Sequence, residues 1–216
     1  MANPSAIIFD CDGTLVDSET LSLKVLVDLF TEYGLVIPVE EAIRLYAGVN
    51  LYDVFDELRP RATRPLTEDV IQRFRDRQIA ELKRSLRPID GATDMLESLT
   101  VPYCVASNAP RYKIEVCLET SGLRSHFEDA MIFSAYDRQK WKPDPDLFVT
   151  ASKAMGVAAE TCVVVEDSVP GVQAGIAAGM HVIAFDPHGR LAQSHPEVTH
   201  IQSLRQLTGK VRQAFC

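Results

Sequence analysis

Acidic residues occur in two close pairs, and each pair follows a run of apolar residues. Asp10 and Asp12 come directly after Ser-Ala-Ile-Ile-Phe, and Glu166 and Asp167 come after a valine-rich run. Residues i and i+2 just beyond a strand point the same way, so Asp10 and Asp12 should face one cleft. Clustered carboxylates repel one another unless a cation neutralises them. Mg²⁺ does this with a few carboxylate oxygens while retaining water and a phosphate oxygen. The pairs therefore indicate a magnesium site.

Other polar residues suited to phosphate chemistry follow in order. Ser107-Asn108 ends a second apolar run, and Lys142 begins Lys-Pro-Asp-Pro before a helical segment. Singly, each has an ordinary structural explanation: the Asp10 motif as a turn, Ser107 as a helix N-cap and Lys142 as a surface charge. Together they supply a hydroxyl, an amide donor, a cation and carboxylates. Phosphoryl transfer needs these parts, because its catalysis consists mainly of positioning and neutralising oxygens.

The elements that must position these residues follow an α/β pattern. Continuous apolar runs predict strands covered on both faces, and hence a parallel sheet. These runs cover residues 5–9, 102–106, 130–133, 162–165 and 181–185. Helical periodicity ending in glycine fills the later intervals. The alternation predicts a doubly wound, Rossmann-like α/β sheet, with polar residues at the carboxyl ends of its strands, where such sheets bind ligands.

Residues 18–85 break this rhythm and show only helical periodicity. Their apolar spacing predicts four helices, with 60–65 as a flexible surface connection between two of them. We therefore predict an all-helical cap domain at 18–85. It would be inserted into a core domain made of residues 1–17 and 86–216.

The composition narrows the class of partner. The 216 residues carry a formal charge of −8, which argues against nucleic-acid binding because that needs a basic patch. The chain starts without a signal-peptide pattern and has no apolar stretch of membrane-spanning length, so we expect a cytoplasmic protein with no membrane partner. The cysteines form no Cys-x-x-Cys pair and indicate reduced, mostly buried thiols. They are Cys11, Cys104, Cys117, Cys162 and Cys216.

Taken in order, the motifs resemble those of the haloacid dehalogenase-like (HAD) superfamily, in the branch with a small helical cap. The four matching motifs are Asp10-Cys-Asp-Gly-Thr, Ser107-Asn108, Lys142-Pro-Asp-Pro and Glu166-Asp167-Ser168. The glycine-rich stretch 171–179 is similar to that of the sugar-phosphate phosphatases of the family. The stretch 136–145 is similar to that of bacterial 6-phosphogluconate phosphatases.

The resemblance implies a role for each matching residue. Asp10 would be the nucleophile that forms an aspartyl-phosphate, and Asp12 the general acid and base, protonated when substrate arrives. Ser107 and Asn108 would bind phosphate oxygens, and Lys142 would pair with the phosphate and with Asp10. Thr14 would help to place the attacking water. The metal would be Mg²⁺, held by the residues Asp10, Asp12 (through its backbone carbonyl), Glu166 (directly or through water) and Asp167.

The resemblance also places substrate choice in the cap, where Gly48 and Asn50 match a substrate-specificity loop. Their ordinary explanation is a Gly-Asn turn, and several cap arginines could meet an acidic substrate or simply be solvated. We expect a phosphatase for a small phosphorylated metabolite, such as a sugar phosphate or 6-phosphogluconate, acting as a monomer or weak homodimer. Alternatives are a β-phosphoglucomutase-like phosphomutase and a catalytically inert HAD-like binding module.

Overall fold

The computed structural model describes residues 4–187, 189, 191, 195–196 and 198–213. They divide into two compact units, one made of residues 17–86 and the other of the remaining chain on both sides. The domain limits drawn from the sequence, 18 and 85, lie one residue inside these. The larger unit contains the strands β1 (Ala6–Phe9), β2 (Tyr103–Ser107), β3 (Ile132–Ser134), β4 (Cys162–Glu166), β5 (His181–Phe185) and β6 (Thr199–Ile201).

Helices follow the strands in the larger unit and fill the smaller one. The smaller unit holds α1 (Ser18–Glu32), α2 (Val39–Tyr46), α3 (Leu51–Leu58) and α4 (Val70–Ser85). The described helices of the larger unit are α5 (Ala92–Ser98), α6 (Arg111–Thr120), α7 (Ala135–Arg138), α8 (Asp146–Ala154), α9 (Val169–Ala177) and α10 (Leu207–Gln213).

The six strands form one parallel sheet in the order β3-β2-β1-β4-β5-β6. The order reverses between β1 and β4, which pair through Phe9 and Val165 at their carboxyl ends. The amide of Asp10 continues this pairing by donating to the Val165 carbonyl at 3.0 Å. Open α/β sheets bind ligands at such a reversal. The structure thus confirms the predicted doubly wound fold and places the two acidic pairs at its switch point.

The sheet is buried because its strands are apolar on both faces. Every residue of β1 and β4 is buried. On one face Ile8 and Val164 belong to a core cluster with Phe148 of α8. Helix α9 approaches the sheet closely because Gly175 has no side chain, and a Cβ there would lie 2.7 Å from Val182. This tight packing holds the start of α9 beside the end of β4.

The smaller unit is all-helical, and the structure describes every one of its residues. Its core is built on aromatic contacts, with Phe55 lying 5.2 Å from Phe30 and 5.9 Å from Phe74 between ring centroids. Residues 60–65, predicted to be a flexible connection, are tied to the end of α1. The amides of Thr63 and Arg64 both donate to the Tyr33 carbonyl at 3.1 Å.

Three differences from the sequence prediction concern short elements. Strand β3 begins at Ile132 rather than at residue 130, because a 3-10 turn occupies Asp129–Met131. Strand β6 and helix α5 were not predicted, since three or seven residues carry little periodicity.

Four cysteines are buried thiols, and the fifth, Cys216, lies outside the described residues. Within the described ranges, no helix is long and apolar enough to cross a bilayer.

Candidate active site

Lys142 lies at the centre of the polar cluster at the carboxyl ends of β1, β2 and β4. Its Nζ donates to Asp10 Oδ1 at 2.5 Å, to Glu166 Oε1 at 2.6 Å and to the Ala106 carbonyl at 2.9 Å. An ammonium has three donors, so these three acceptors fix its position. The side chains of Lys142, Asp10 and Glu166 are each at most 9% exposed. The structure therefore brings together three predicted residues from distant parts of the chain.

Burial gives this cluster unusual electrostatics. Burial raises the pKa of Asp10, Lys142 lowers it, and the carboxylates of Glu166 and Asp12 raise it further; the net result is a pKa well above the usual range. Burial alone would lower the pKa of Lys142, but Asp10 and Glu166 together raise it above its ordinary value. Lys142 is thus held as a cation. Around Asp10, burial and the carboxylates of Glu166 and Asp12 outweigh the effect of the one ammonium beside it.

Glu166 is held by the start of α9. Its Oε2 accepts from the Ser168 amide at 2.9 Å and from the Ser168 hydroxyl at 2.8 Å. The same hydroxyl accepts from the Gly171 amide at 3.1 Å, which caps the helix. A Cβ at Gly171 would lie 1.8 Å from the Glu166 carboxyl carbon. Both oxygens of Glu166 therefore have protein partners, and glycine at 171 makes room for them.

Asp167 lies against the turn that follows β1. Gly13 has a φ of +87°, and a Cβ there would lie 2.1 Å from Asp167 Oδ2. The Thr14 hydroxyl donates to Asp167 Oδ1 at 2.7 Å. Thr14 was predicted to help place the attacking water, and in the structure its hydroxyl holds this carboxylate. The carboxylate is thereby placed beside the α-carbon of Gly13, the residue that follows Asp12.

Asp12 contacts a residue that the sequence reasoning missed. Its Oδ1 accepts from Lys113 Nζ at 2.7 Å, and Ser107 Oγ lies 3.5 Å from its Oδ2. Burial alone would lower the pKa of Lys113, but the Asp12 carboxylate and the nearby thiols raise it. Lys113 stands in the first turn of α6, six residues after Ser107. The sequence did hold a signal for Lys113: it comes shortly after Ser107, the end of a strand with a predicted phosphate-binding role.

Asn108 uses its side chain on the backbone of Lys142. Its Oδ1 accepts from the Lys142 amide at 2.9 Å, and its Nδ2 donates to the Lys142 carbonyl at 3.4 Å. Ser107 Oγ accepts from the Ala109 amide at 3.0 Å, which shapes the turn after β2. The predicted phosphate-binding pair thus also fixes the segment that carries the central cation.

The residues present fit a hard divalent cation. Among the described residues, no three His, Cys, Asp or Glu side chains converge into one metal cluster. The predicted set includes Asp12 through its backbone carbonyl and Glu166 directly or through water. It can therefore be formed with as few as two side-chain carboxylates in direct contact with the ion. With every group counted in its charged form, four carboxylates (Asp10, Asp12, Glu166 and Asp167) and two ammonium groups (Lys113 and Lys142) give these six side chains a formal net charge of −2. A divalent ion with oxygen ligands would balance that charge.

The predicted cap residues lie in the smaller unit and have local partners. The Gly48 amide donates to Glu19, and Asn50 Oδ1 accepts from the Tyr52 amide at 2.9 Å, which caps α3. The structure therefore gives Asn50 a helix-capping contact. Three cap arginines are also paired within the unit: Arg73 and Arg77 with Glu32, and Arg75 with the Tyr52 hydroxyl.

Comparison with known proteins agrees with this geometry. A sequence model of the haloacid dehalogenase-like hydrolases matches residues 7–185. The chain is 40% identical over 210 residues to the 6-phosphogluconate phosphatase of Escherichia coli K12, covering 96% of this chain and 94% of that protein. A solved haloacid dehalogenase-like protein of unknown function from Agrobacterium tumefaciens superimposes with a TM-score of 0.88 at 32% identity, covering 98% and 99% of the two chains.

A second solved structure extends the comparison. A HAD family hydrolase from Deinococcus radiodurans, solved with bound phosphate and sodium, superimposes with a TM-score of 0.83 at 28% identity, covering 100% of this chain and 98% of that chain. The family match covers most of the sequence and all four motifs. The chain therefore belongs to the haloacid dehalogenase-like hydrolases, and among them it is a phosphatase.

Proposed function

We propose that this phosphatase uses Mg²⁺ and an aspartyl-phosphate intermediate on Asp10 to hydrolyse a small phosphorylated sugar or sugar acid. One observation carries the proposal: the ammonium of Lys142 is shared by Asp10 and Glu166 at the switch point of the sheet. A buried cation in that position neutralises a carboxylate nucleophile and an incoming phosphate together. The Deinococcus radiodurans relative was solved with bound phosphate and sodium, which supports the binding of an anion and a cation by a protein of this family.

The metal would be held by Asp10, Asp167 and the backbone carbonyl of Asp12, with Glu166 contributing through water. The close approach of Asp167 to Gly13 supports this set, because it brings that carboxylate next to the residue that follows Asp12. When bound, the ion neutralises the charge of the phosphate oxygens. The chain's own residues carry out the remaining steps.

In the first step a carboxylate oxygen of Asp10 attacks phosphorus. The new Asp10–phosphorus bond forms as the bond from phosphorus to the substrate oxygen breaks, and Asp12, arriving protonated, gives its proton to the departing alkoxide. Lys142 holds the attacking carboxylate and neutralises oxygens of the phosphoryl group. Ser107 and the Asn108 amide donate to the remaining phosphoryl oxygens.

In the second step Asp12, now a carboxylate, removes a proton from water. The water oxygen bonds to phosphorus while the bond to Asp10 breaks, which releases inorganic phosphate and restores both aspartates. Lys113 contacts Asp12 Oδ1, and we assign the proton transfer to Oδ2, which lies beside Ser107. Thr14 takes part indirectly, because its hydroxyl holds Asp167.

The proposed substrate class rests on the relatives. The Escherichia coli protein is named for 6-phosphogluconate, and it aligns over nearly the full length of both chains. We infer a phosphorylated sugar acid as the first choice and a sugar phosphate as the second. The helical unit, including Gly48, is proposed to select the substrate. The expected partners are Mg²⁺ and this metabolite, and the protein is proposed to be a cytoplasmic monomer or weak dimer.

The test is phosphate release from a panel of metabolites with and without Mg²⁺. The panel holds 6-phosphogluconate, hexose phosphates, phosphoglycolate and nucleotides. We expect Mg²⁺-dependent release, highest kcat/KM for 6-phosphogluconate, and loss of turnover in Asp10→Asn but not in the control Asp137→Asn, whose side chain is exposed. Conversion of β-glucose 1-phosphate without phosphate release would establish a mutase instead. Absence of turnover at any pH would establish an inert module.

A further inference from the structure

Helix α6 contacts the turn after β1 at two adjacent places. Lys113 Nζ donates to Asp12 Oδ1, and the Cys117 thiol lies near enough to the Cys11 thiol to raise its pKa. Lys113 and Cys117 are four residues apart and share one helix face, while Cys11 and Asp12 are consecutive. One face of α6 therefore lies along the loop that carries the predicted nucleophile and acid/base.

The base of the Lys113 side chain is itself fixed. Helix α6 buries Ile114, Cys117 and Leu118 against the core. Its first residue, Arg111, donates to the carbonyls of Ile132 and Asp129 at 2.9 Å. The Lys113 side chain is only 14% exposed and that of Asp12 is 23% exposed, so bulk water screens this pair weakly. The Lys113–Asp12 bond is therefore a partly buried contact that can restrict the orientation of the Asp12 carboxylate, and not a solvent-exposed ion pair.

We propose that Lys113 is a positioning residue of this phosphatase, which holds Asp12 in the orientation needed for proton transfer. The inference rests on the proposed function, since it takes Asp12 as the acid/base. Lys113 fixes Oδ1 from the side of α6, and Ser107 lies beside Oδ2. The remaining cation, Lys142, is fully used by Asp10, Glu166 and the Ala106 carbonyl. Lys113 is thus the ammonium that constrains the second aspartate, as Lys142 constrains the first.

A double-mutant cycle tests this inference. Lys113→Met, Asp12→Asn and the double variant are assayed on p-nitrophenyl phosphate with saturating Mg²⁺, and kcat and KM are measured separately. Lys140→Met is the matched control, because it makes the same substitution and removes an ion pair with Asp146 at 3.4 Å on the surface. Circular dichroism and Tm report whether each variant is folded, and Lys113→Gln replaces Lys113→Met if the latter does not fold.

We expect Lys113→Met to lower kcat by about 10- to 100-fold with KM changed less than about threefold, a part of the effect of removing the acid/base itself. In the Asp12→Asn background the same substitution should change kcat by less than about twofold, because its only route of action is gone. An equal loss in both backgrounds, or a rise in KM alone, would overturn the inference in favour of a structural or phosphate-binding role. Failure of the proposed function is distinct, since the unmodified protein would then be inactive.

Discussion

The Asp167 carboxylate lies directly against the α-carbon of Gly13, so closely that a Cβ there would lie 2.1 Å from Oδ2. Gly13 also has a φ of +87°, a conformation that suits glycine. The same glycine thus allows the turn after β1 and leaves room for a proposed metal ligand.

The first prediction concerns this contact. Gly13→Ala should move Asp167 and raise the Mg²⁺ concentration for half-maximal activity by about 10- to 100-fold, the usual effect of disturbing groups around a metal. Gly122→Ala is the control, because Gly122 has a φ of +78° and nothing within 4 Å of its added Cβ. It should share the backbone strain but leave Mg²⁺ dependence unchanged. Equal Mg²⁺ requirements in the two variants would contradict the prediction.

Removing the central cation should damage both activity and stability. Lys142→Met leaves Asp10 and Glu166 buried without their shared ammonium, which should cost about 3–5 kcal/mol in the free energy of unfolding. Turnover should fall by at least about 100-fold. Urea unfolding of the metal-free protein measures the first effect. Lys140→Met is the control, and loss of its exposed ion pair should cost no more than about 1 kcal/mol. Adding Glu166→Gln to Lys142→Met should recover part of the lost free energy of unfolding.

The raised pKa of Asp10 predicts an unusual pH dependence for the metal-free protein. Its pKa rises from 3.8 to about 8, so between these values the folded state binds a proton that the unfolded state does not. The free energy of unfolding should therefore fall as the pH increases through this window. The raised pKa of Lys142 lies above the window and adds no slope there.

Asp10→Asn isolates this contribution. Tm in the presence of a chelator should decrease with pH more steeply in the unmodified protein than in Asp10→Asn, and the difference between them is the Asp10 contribution. Saturating Mg²⁺ should reduce the difference, because the ion favours the carboxylate. Parallel Tm curves with the chelator would show that Asp10 is already ionised at neutral pH.

Gly171 should be as important as Gly13, although its backbone is ordinary helix. Gly171→Ala would place a Cβ 1.8 Å from the Glu166 carboxyl carbon and should lower both Tm and kcat by disturbing the contact with Lys142. The helical control is Gly209→Ala in α10, where the added Cβ meets nothing within 4 Å. That substitution should be neutral or stabilise by up to about 1 kcal/mol. A Gly171→Ala protein with unchanged kcat would exclude a positioning role for Glu166.

The sequence by itself determined the fold class and identified the carboxylates and the central lysine of the cluster, but not Lys113. Strands such as β1 and β4 are continuous apolar runs, so local pattern alone predicts them, and their ends mark where Asp10 and Glu166 must lie. The sequence also favours Lys142 over its neighbour Lys140, because only Lys142 is followed by the proline of the Lys-Pro-Asp-Pro motif. Short elements such as β6 were missed, because three residues carry too little pattern to distinguish a strand from a loop.

Only the tertiary structure decided which partner each polar group has. Lys113 looks like any helix charge, and it meets Asp12 because the start of α6 lies beside the turn after β1, although the two residues are 101 positions apart in the chain. Thr14 and Asn108 likewise bond to Asp167 and Lys142, choices that depend on side-chain direction and on distances of a few tenths of an ångström. Sequence pattern records which residues are apolar or charged along the chain. Which charges are buried together is decided by packing between segments that are far apart in sequence.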